Sequence, residues 1–305
     1  MTLSACFPYR SEALRDSFLA YYAGLAAKQW PVTSEERFVP TSYGETFVRI
    51  TGPSDAPPLV LLPGASTTSL MWAPNIQALS ASYRTIALDQ VGDLGRTACI
   101  RPVRRFTDLC AWLDELFDGL NLAAGIHLVG MSYGGTLAAQ YALHRSERLG
   151  KIVLLAPGAI VLRIHLQFLG RLMLAAVARR RFLPPAVHWM FADMERKDPQ
   201  WIAETLELLF ASMRSLLPRQ LPFPRKWTVA QWNDLRVPTL FLVGEHEVIY
   251  PAEKALRRLR RVAPHVQAEI IPGAGHDLPF VQPDTVNRKI LDFLRLESTV
   301  ACHNA

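Results

Sequence analysis

Short runs of almost wholly apolar residues alternate along the chain with longer runs whose apolar positions recur every three or four residues. The short runs are TFVRI, PPLVLL, RTIALD, GIHLVG, KIVLLA, PTLFLVG and QAEIIP, in that order. Runs this short and apolar on both faces predict strands of a sheet covered on both sides, the setting of a parallel sheet. The longer runs, WAPNIQALSASY, FTDLCAWLDELFDGLN, AEKALRRLRRVAP and TVNRKILDFLRL, predict helices. Their alternation predicts an α/β class fold, with a mostly parallel, doubly wound sheet.

The alternation stops between about Gly158 and Leu235, where no strand pattern appears. One amphipathic helical pattern lies within 160–182. A second starts at Asp198-Pro199, an N-cap residue followed by proline at the first helical position, and continues through WIAETLELLFASMRSLL. This insert is longer than a connection requires, and long inserts commonly act as lids or binding elements. The expected division is therefore a core of residues 1–157 and 236–305 with a helical cap at 158–235.

Composition narrows the partners. The 305 residues are half hydrophobic, enough for one large α/β domain or two small ones, and carry a formal charge of +6. Arginine gathers at Arg179-Arg180-Arg181 and at Arg257-Arg258 with Arg260-Arg261, without interleaved aromatics or a nucleic-acid motif. These clusters read as solvated helix faces and ends, and no nucleic-acid partner is expected. Cys6, Cys99, Cys110 and Cys302 are widely spaced and form no C-x-x-C pair, which suits reduced thiols in a cytoplasmic protein. The N-terminal stretch carries charges where a signal peptide needs apolar residues. The most lipophilic segment is interrupted by Arg163, His165, Gln167 and Arg171, so no membrane span is expected.

Candidate chemistry begins at Gly130-Met131-Ser132-Tyr133-Gly134, between an apolar strand and a helical pattern. G-x-S-x-G in that setting is the nucleophile-elbow signature. Side chains at Gly130 and Gly134 would collide with the neighbouring strand and helix, while Ser132 is held at the carboxyl end of the sheet. A serine hydroxyl needs a base. EIIPGAGHDLPF ends the last strand and presents His276 beyond it. A carboxylate must then fix the imidazole tautomer. The stretch VGEHEVIYP holds Glu245, His246 and Glu247 after a strand, between the serine and the histidine. Three adjacent residues in a tight loop rarely converge on one ion, so a metal is not expected. Glu247 is the preferred acid and Glu245 the alternative. The oxyanion of an acyl-transfer intermediate needs fixed N–H donors. Tyr133 N–H is one; Gly64, by allowing close backbone approach, makes Ala65 N–H the other.

With these pieces assembled, the chain resembles the α/β-hydrolase superfamily over nearly its full length. Within it, the chain is most similar to bacterial carboxylesterases that cleave arylpropionate esters, the naproxen esterase type. The matching stretches are WPV, GPSDAPPLVLLPGA, MWAPNIQALSASYRTIALDQVGD, GMSYGG, LLAPGA and GAGHDLP. The resemblance implies a Ser132–Glu247–His276 triad, an oxyanion hole at Ala65 and Tyr133, and a helical cap over an apolar acyl pocket. It implies no metal and no organic cofactor. The superfamily usually has His-Gly where this chain has Pro63-Gly64, and usually aspartate at the position of Glu247, the third after Gly244. That position favours Glu247 over Glu245.

The expected function is hydrolysis of carboxylic esters through an acyl-enzyme. The same machinery also serves thioesters, lactones, amides, C–C bonds and perhydrolysis, and a non-catalytic member would only bind a small apolar ligand. The expected substrate is a small apolar ester, with Gly64, Met71, Trp72, Met131, Phe168, Met173, Trp201 and Phe210 expected around it. A homodimer is left open.

Overall fold

The computed structural model describes residues 9–177, 179–216 and 221–296, without the side chains of 176, 179 and 180. Cys6 and Cys302 lie outside the described residues, as do the side chains of Arg179 and Arg180.

Among the described residues the sheet has strands β1 (Glu35–Thr41), β2 (Gly44–Thr51), β3 (Pro58–Leu62), β4 (Arg84–Leu88), β5 (Ile126–Met131), β6 (Leu149–Leu155), β7 (Thr239–Gly244) and β8 (Gln267–Ile271). Their spatial order is β1-β2-β4-β3-β5-β6-β7-β8. β2 pairs antiparallel with both β1 and β4, and every other pairing is parallel. The seven expected strands are present and β1 is an eighth. Its sequence EERFVPT gave no apolar run, because as an edge strand it buries only Val39.

Alternate residues of each strand serve opposite layers, the period-two pattern of a strand. Val60 and Leu62 of β3 join one buried cluster, while Leu59 and Leu61 join the other. The first cluster takes in α3 (Phe106–Gly119), α4 (Tyr133–His144) and α10 (Ala252–Val262); the second takes in α2 (Ala73–Ser80), α11 (Leu278–Val281) and α12 (Pro283–Arg295). α10 buries Ala255, Leu256, Leu259 and Val262, and Arg257, Arg260 and Arg261 are exposed on its other side. One further helix, α1 (Glu12–Gln29), escaped the sequence pattern. It starts at Ser11, whose side chain accepts from Leu14 N–H (3.3 Å), and buries Phe18, Tyr22 and Leu25.

Between β6 and β7 lie α5 (Leu166–Val177), α6 (Arg179–Met190), α7 (Ala192–Lys197), α8 (Pro199–Ser215) and α9 (Val229–Asp234). α8 begins as expected: Asp198 Oδ1 accepts from Trp201 N–H (3.1 Å) and Pro199 follows the cap. The helical pattern within 160–182 resolves into α5 and the start of α6, because Ile160 and Val161 are buried in a bent stretch ahead of α5. The insert packs on the sheet's own apolar layer, since Val187, Met194, Ile202 and Leu209 share a cluster with Leu59 and Leu61. Polar ties reinforce this. Glu204 of α8 pairs with Lys28 and accepts from Gln29 Nε2 (2.7 Å) at the end of α1.

Among the described residues, no helix is long and apolar enough to cross a membrane. Cys99 and Cys110 are buried thiols.

Candidate active site

Ser132 stands alone between β5 and α4, with φ 52° and ψ −111°. An L side chain avoids this region, and such strain persists only where neighbours over-determine it. Ser132 N–H donates to Leu155 O (2.8 Å), and its carbonyl accepts from Thr136 N–H (3.0 Å) and Gly158 N–H (3.1 Å). The end of β6 and the first turn of α4 therefore hold it from both sides. The flanking glycines are required by space. A methyl group on Gly130 would stand 2.3 Å from Gly134 O, and one on Gly134 would stand 2.3 Å from Leu62 O. A methyl group on Gly64 would only make ordinary contact, 3.6 Å from Ser132 Cβ. Gly64 adjoins the serine, and the fit leaves room for a methyl.

The loop after β3 is tied down around Ala65. Gly64 O accepts from Thr67 Oγ1 (2.7 Å) and Thr67 N–H (3.3 Å). Gly64 N–H points to Met71 Sδ (3.2 Å). Ala65 N–H has no acceptor among the described residues. Tyr133 N–H occupies the first helical position of α4, which has no intrahelical acceptor.

His276 follows β8 in a loop that crosses the end of β7. A methyl group on Gly244, the last residue of β7, would lie 2.1 Å from Gly275 O, so a bare glycine lets the two loops meet. Glu245 N–H donates to Ile271 O (3.0 Å) and His246 N–H to Ala274 O (2.9 Å). The loops thus zip together, and Glu247 comes to rest against His276. Its carboxylate oxygens lie 2.9 and 3.1 Å from His276 Nδ1, and both side chains are buried.

Burial alone would pull the His276 imidazole down. The Glu247 charge, its hydrogen bond and the charge of Asp277 outweigh this, and the imidazole titrates above the ordinary histidine value. With Nδ1–H donated to Glu247, Nε2 is left as the proton acceptor.

The three ionisable residues of VGEHEVIYP go separate ways. Glu245 Oε2 accepts from Gly273 N–H (2.9 Å) on the β8 loop. His246 Nδ1 faces Asp193 Oδ2 of α7 (3.2 Å). Glu247 faces His276. The insert is fastened to the same place, since Asp277 Oδ2 accepts from Met194 N–H (2.7 Å).

Ser132 and His276 open on one cavity of about 670 Å³. Of the residues named for the pocket, Gly64, Met71, Met131 and Phe168 line this cavity. Four others lie elsewhere. Trp72 is fully buried beside Leu59 and Ile76 in the layer behind the site. Met173 is 70% exposed, because Phe168, Leu172 and Ala175 occupy the inner face of α5 and Met173 falls about 100° round the helix. Trp201 lies a turn before the lining stretch of α8 and packs at a tilt of 39° against Phe280, with ring centroids 4.8 Å apart. Phe210 is one position round from Leu209, which does face the cavity. Asp93, Phe191 and Phe280 line the cavity and went unread, because nothing in their local sequence distinguishes them from loop and core residues.

The sequence model of the Alpha/beta hydrolase family matches residues 59–289. An uncharacterized carboxylesterase, nap, of Bacillus subtilis is 33% identical over 292 residues, 94% of this chain and 96% of its own. The carboxylesterase YbfK of the same organism is 33% identical over 268 residues, 87% and 89% of the two chains. The crystal structure of the Bacillus subtilis naproxen esterase, carboxylesterase NP, superposes with a TM-score of 0.83 at 32% identity, covering 96% of this chain and 99% of the other.

Proposed function

We propose, for a chain that belongs to the Alpha/beta hydrolase family and is a carboxylic ester hydrolase, that Ser132, His276 and Glu247 carry the reaction through an acyl-enzyme. The observation that supports this most is the buried Glu247–His276 pair sharing one cavity with a strained serine.

The steps follow from the geometry. Ser132 Oγ attacks the ester carbonyl as His276 Nε2 takes its proton. Glu247 holds Nδ1–H and stabilises the imidazolium that forms. The Ala65 and Tyr133 N–H groups receive the oxyanion, aided by the N-terminal end of α4. The tetrahedral intermediate collapses, and the leaving alkoxide takes the proton from Nε2. Water then enters, gives a proton to the same nitrogen and attacks the acyl carbon, releasing the acid and restoring Ser132. A serine acyl-transfer site of this kind needs no metal or organic cofactor.

The substrate in this reading is a small apolar ester. Met71 and Met131 are apolar walls from the core, and Phe168 and Leu209 extend them from the insert and Phe280 from α11. The insert 158–235 acts as the cap, roofing the acyl pocket while the core 1–157 and 236–305 supplies the reacting groups. Its ties at Met194–Asp277 and Asp193–His246 would register its position against both loops of the triad. A cytoplasmic place belongs to the same reading, supported by the buried thiols of Cys99 and Cys110.

The test is hydrolysis of p-nitrophenyl butyrate by Ser132→Ala. Loss of at least about 10³ in kcat is expected; full activity would remove Ser132 from the mechanism.

A further inference from the structure

Asp93 has no part in the acyl-transfer steps, yet its carboxylate reaches the loop that carries Ala65. It lies in the loop after β4, within DQVGD. Asp93 Oδ2 accepts from Ser66 N–H (2.8 Å) and Oδ1 from Leu94 N–H (2.8 Å). Four residues earlier, Asp89 Oδ1 accepts from Ser69 N–H (2.7 Å) and Oδ2 from Arg96 N–H (2.8 Å). The two carboxylates thus clamp the segment 66–69 at both ends. Between Gly64 and the first clamp sits Ala65, whose N–H is the unpaired donor.

The clamp has a conformation to hold. Ser66 has φ 60°, the left-handed region that a residue with a Cβ leaves unless something retains it. The Ser66 N–H belongs to the peptide that begins at the Ala65 carbonyl, so fixing it fixes the plane next to the oxyanion donor. A hydrogen bond to an ionised carboxylate is roughly twice as strong as a neutral one. Burial pushes the Asp93 carboxyl up to about 6, against the opposing pull of the Ser66 and Leu94 N–H groups. Those two N–H groups are the contacts that favour its charged form at this wall of the cavity.

We propose that Asp93 is a positioning residue: by holding Ser66 N–H it sets the Ala65 backbone where the acyl oxyanion forms. It touches neither acyl group nor nucleophile in the reaction, and acts through Ser66 and Ala65. The inference rests on the acyl-enzyme reading above.

Asp93→Asn is the first test. Asparagine keeps the shape but offers one acceptor oxygen to two N–H groups and sets its own N–H₂ against one of them. With sites counted by burst titration, kcat for p-nitrophenyl butyrate is expected to fall about ten- to a hundredfold, since a misplaced donor forfeits much of the oxyanion's stabilisation. KM should stay within about threefold, as ground-state contacts to the apolar walls remain. The inhibition constant of an alkyl trifluoromethyl ketone, which adds to the serine as a charged hemiketal, should rise by the factor that kcat/KM falls.

A merely structural Asp93 would lower the melting temperature or the titrated fraction and leave kcat per site and ketone affinity unchanged; that result overturns the proposal. Ser66→Val offers a second route if Asp93→Asn does not fold. A β-branched residue at positive φ should reproduce the loss in kcat and ketone affinity, whereas Ser66→Gly should keep both within about twofold. Ser66→Val with wild-type kcat and ketone affinity also overturns the proposal. Ser132→Ala run alongside separates the two levels. If it is inactive while Asp93→Asn is unimpaired, only the role of Asp93 fails; if it is active, the acyl-enzyme reading fails.

Discussion

Glu247 meets His276 Nδ1 with both carboxylate oxygens, at 2.9 and 3.1 Å, although glutamate carries one methylene more than aspartate. The extra length is taken up locally. Glu247 Oε1 also accepts from Ile249 N–H (2.8 Å), so the side chain folds back over its own loop and does not overshoot the ring. Glu245 turns the other way, to Gly273 N–H.

Glu247→Gln removes the charge and leaves an amide opposite Nδ1–H. A neutral partner in the wrong tautomeric relation costs a histidine triad up to about 10⁴ in kcat. Steady-state hydrolysis by Glu247→Gln should therefore fall by about two to four orders of magnitude. Glu245→Gln should stay within about threefold, because it loses only a loop tie. The opposite ranking would move the acid two residues upstream.

The same pair sets the acid limb of the pH profile. His276 must be neutral to take the serine proton, and its pKa is raised because Glu247 and Asp277 outweigh burial. A raised pKa keeps the ring protonated to higher pH, so kcat/KM should decline as pH falls through a point above the ordinary histidine value. Glu247→Gln removes the charge that raises it and should shift that limb to lower pH. A limb that stays in place, measured on the residual activity, would separate it from the pair.

Two glycines of the site should respond in opposite ways. A methyl group on Gly134 would meet the Leu62 and Pro63 carbonyls at 2.3 and 2.5 Å, and both are backbone atoms that cannot turn aside. Gly134→Ala should cost at least about 1–3 kcal/mol, visible as a melting temperature several degrees lower. Gly64→Ala meets only ordinary contacts and should keep activity within about threefold. Equal tolerance at both positions would contradict the packing described for the elbow.

Tyr133 joins two roles that substitution can separate. Its side-chain hydroxyl donates to Pro222 O (2.9 Å), tying the elbow to the stretch that closes one side of the cavity. Its backbone N–H is the proposed oxyanion donor. Tyr133→Phe should lower stability by about 1 kcal/mol through the lost hydrogen bond, yet leave kcat within about threefold. A fall in kcat of a hundredfold would mean that the hydroxyl takes part in the chemistry.

Much of this arrangement could be read in the sequence because it depends on local pattern. Strand periodicity gave seven of the eight strands, the six inner ones and the edge strand β8, and helix periodicity gave helices that cover them, because most of these elements bury an apolar face. Gly130 and Gly134 carry a steric demand that only glycine meets, and the expected order Ser132, Glu247, His276 follows from where strands end. What escaped depended on tertiary context. β1 is polar because it lies at an edge, and Pro184 and Pro185 inside α6 hide a helix from any propensity argument. Trp72, Met173, Trp201 and Phe210 had the right chemistry for a pocket wall, but helix phase and the sheet face decide which side a residue presents. Asp93 had no signature at all, since its partner Ser66 lies 27 residues away on another loop.

The most direct measurement is to map the covalent adduct. The protein is incubated with an aryl alkylphosphonate, its intact mass is recorded, and the modified peptide is sequenced by mass spectrometry. One phosphonyl group per chain on Ser132 is expected, together with loss of esterase activity in the same proportion and no labelling of Ser132→Ala. An adduct on another residue, or esterase activity that persists after Ser132 is fully modified, would contradict the assignment of Ser132 as the nucleophile.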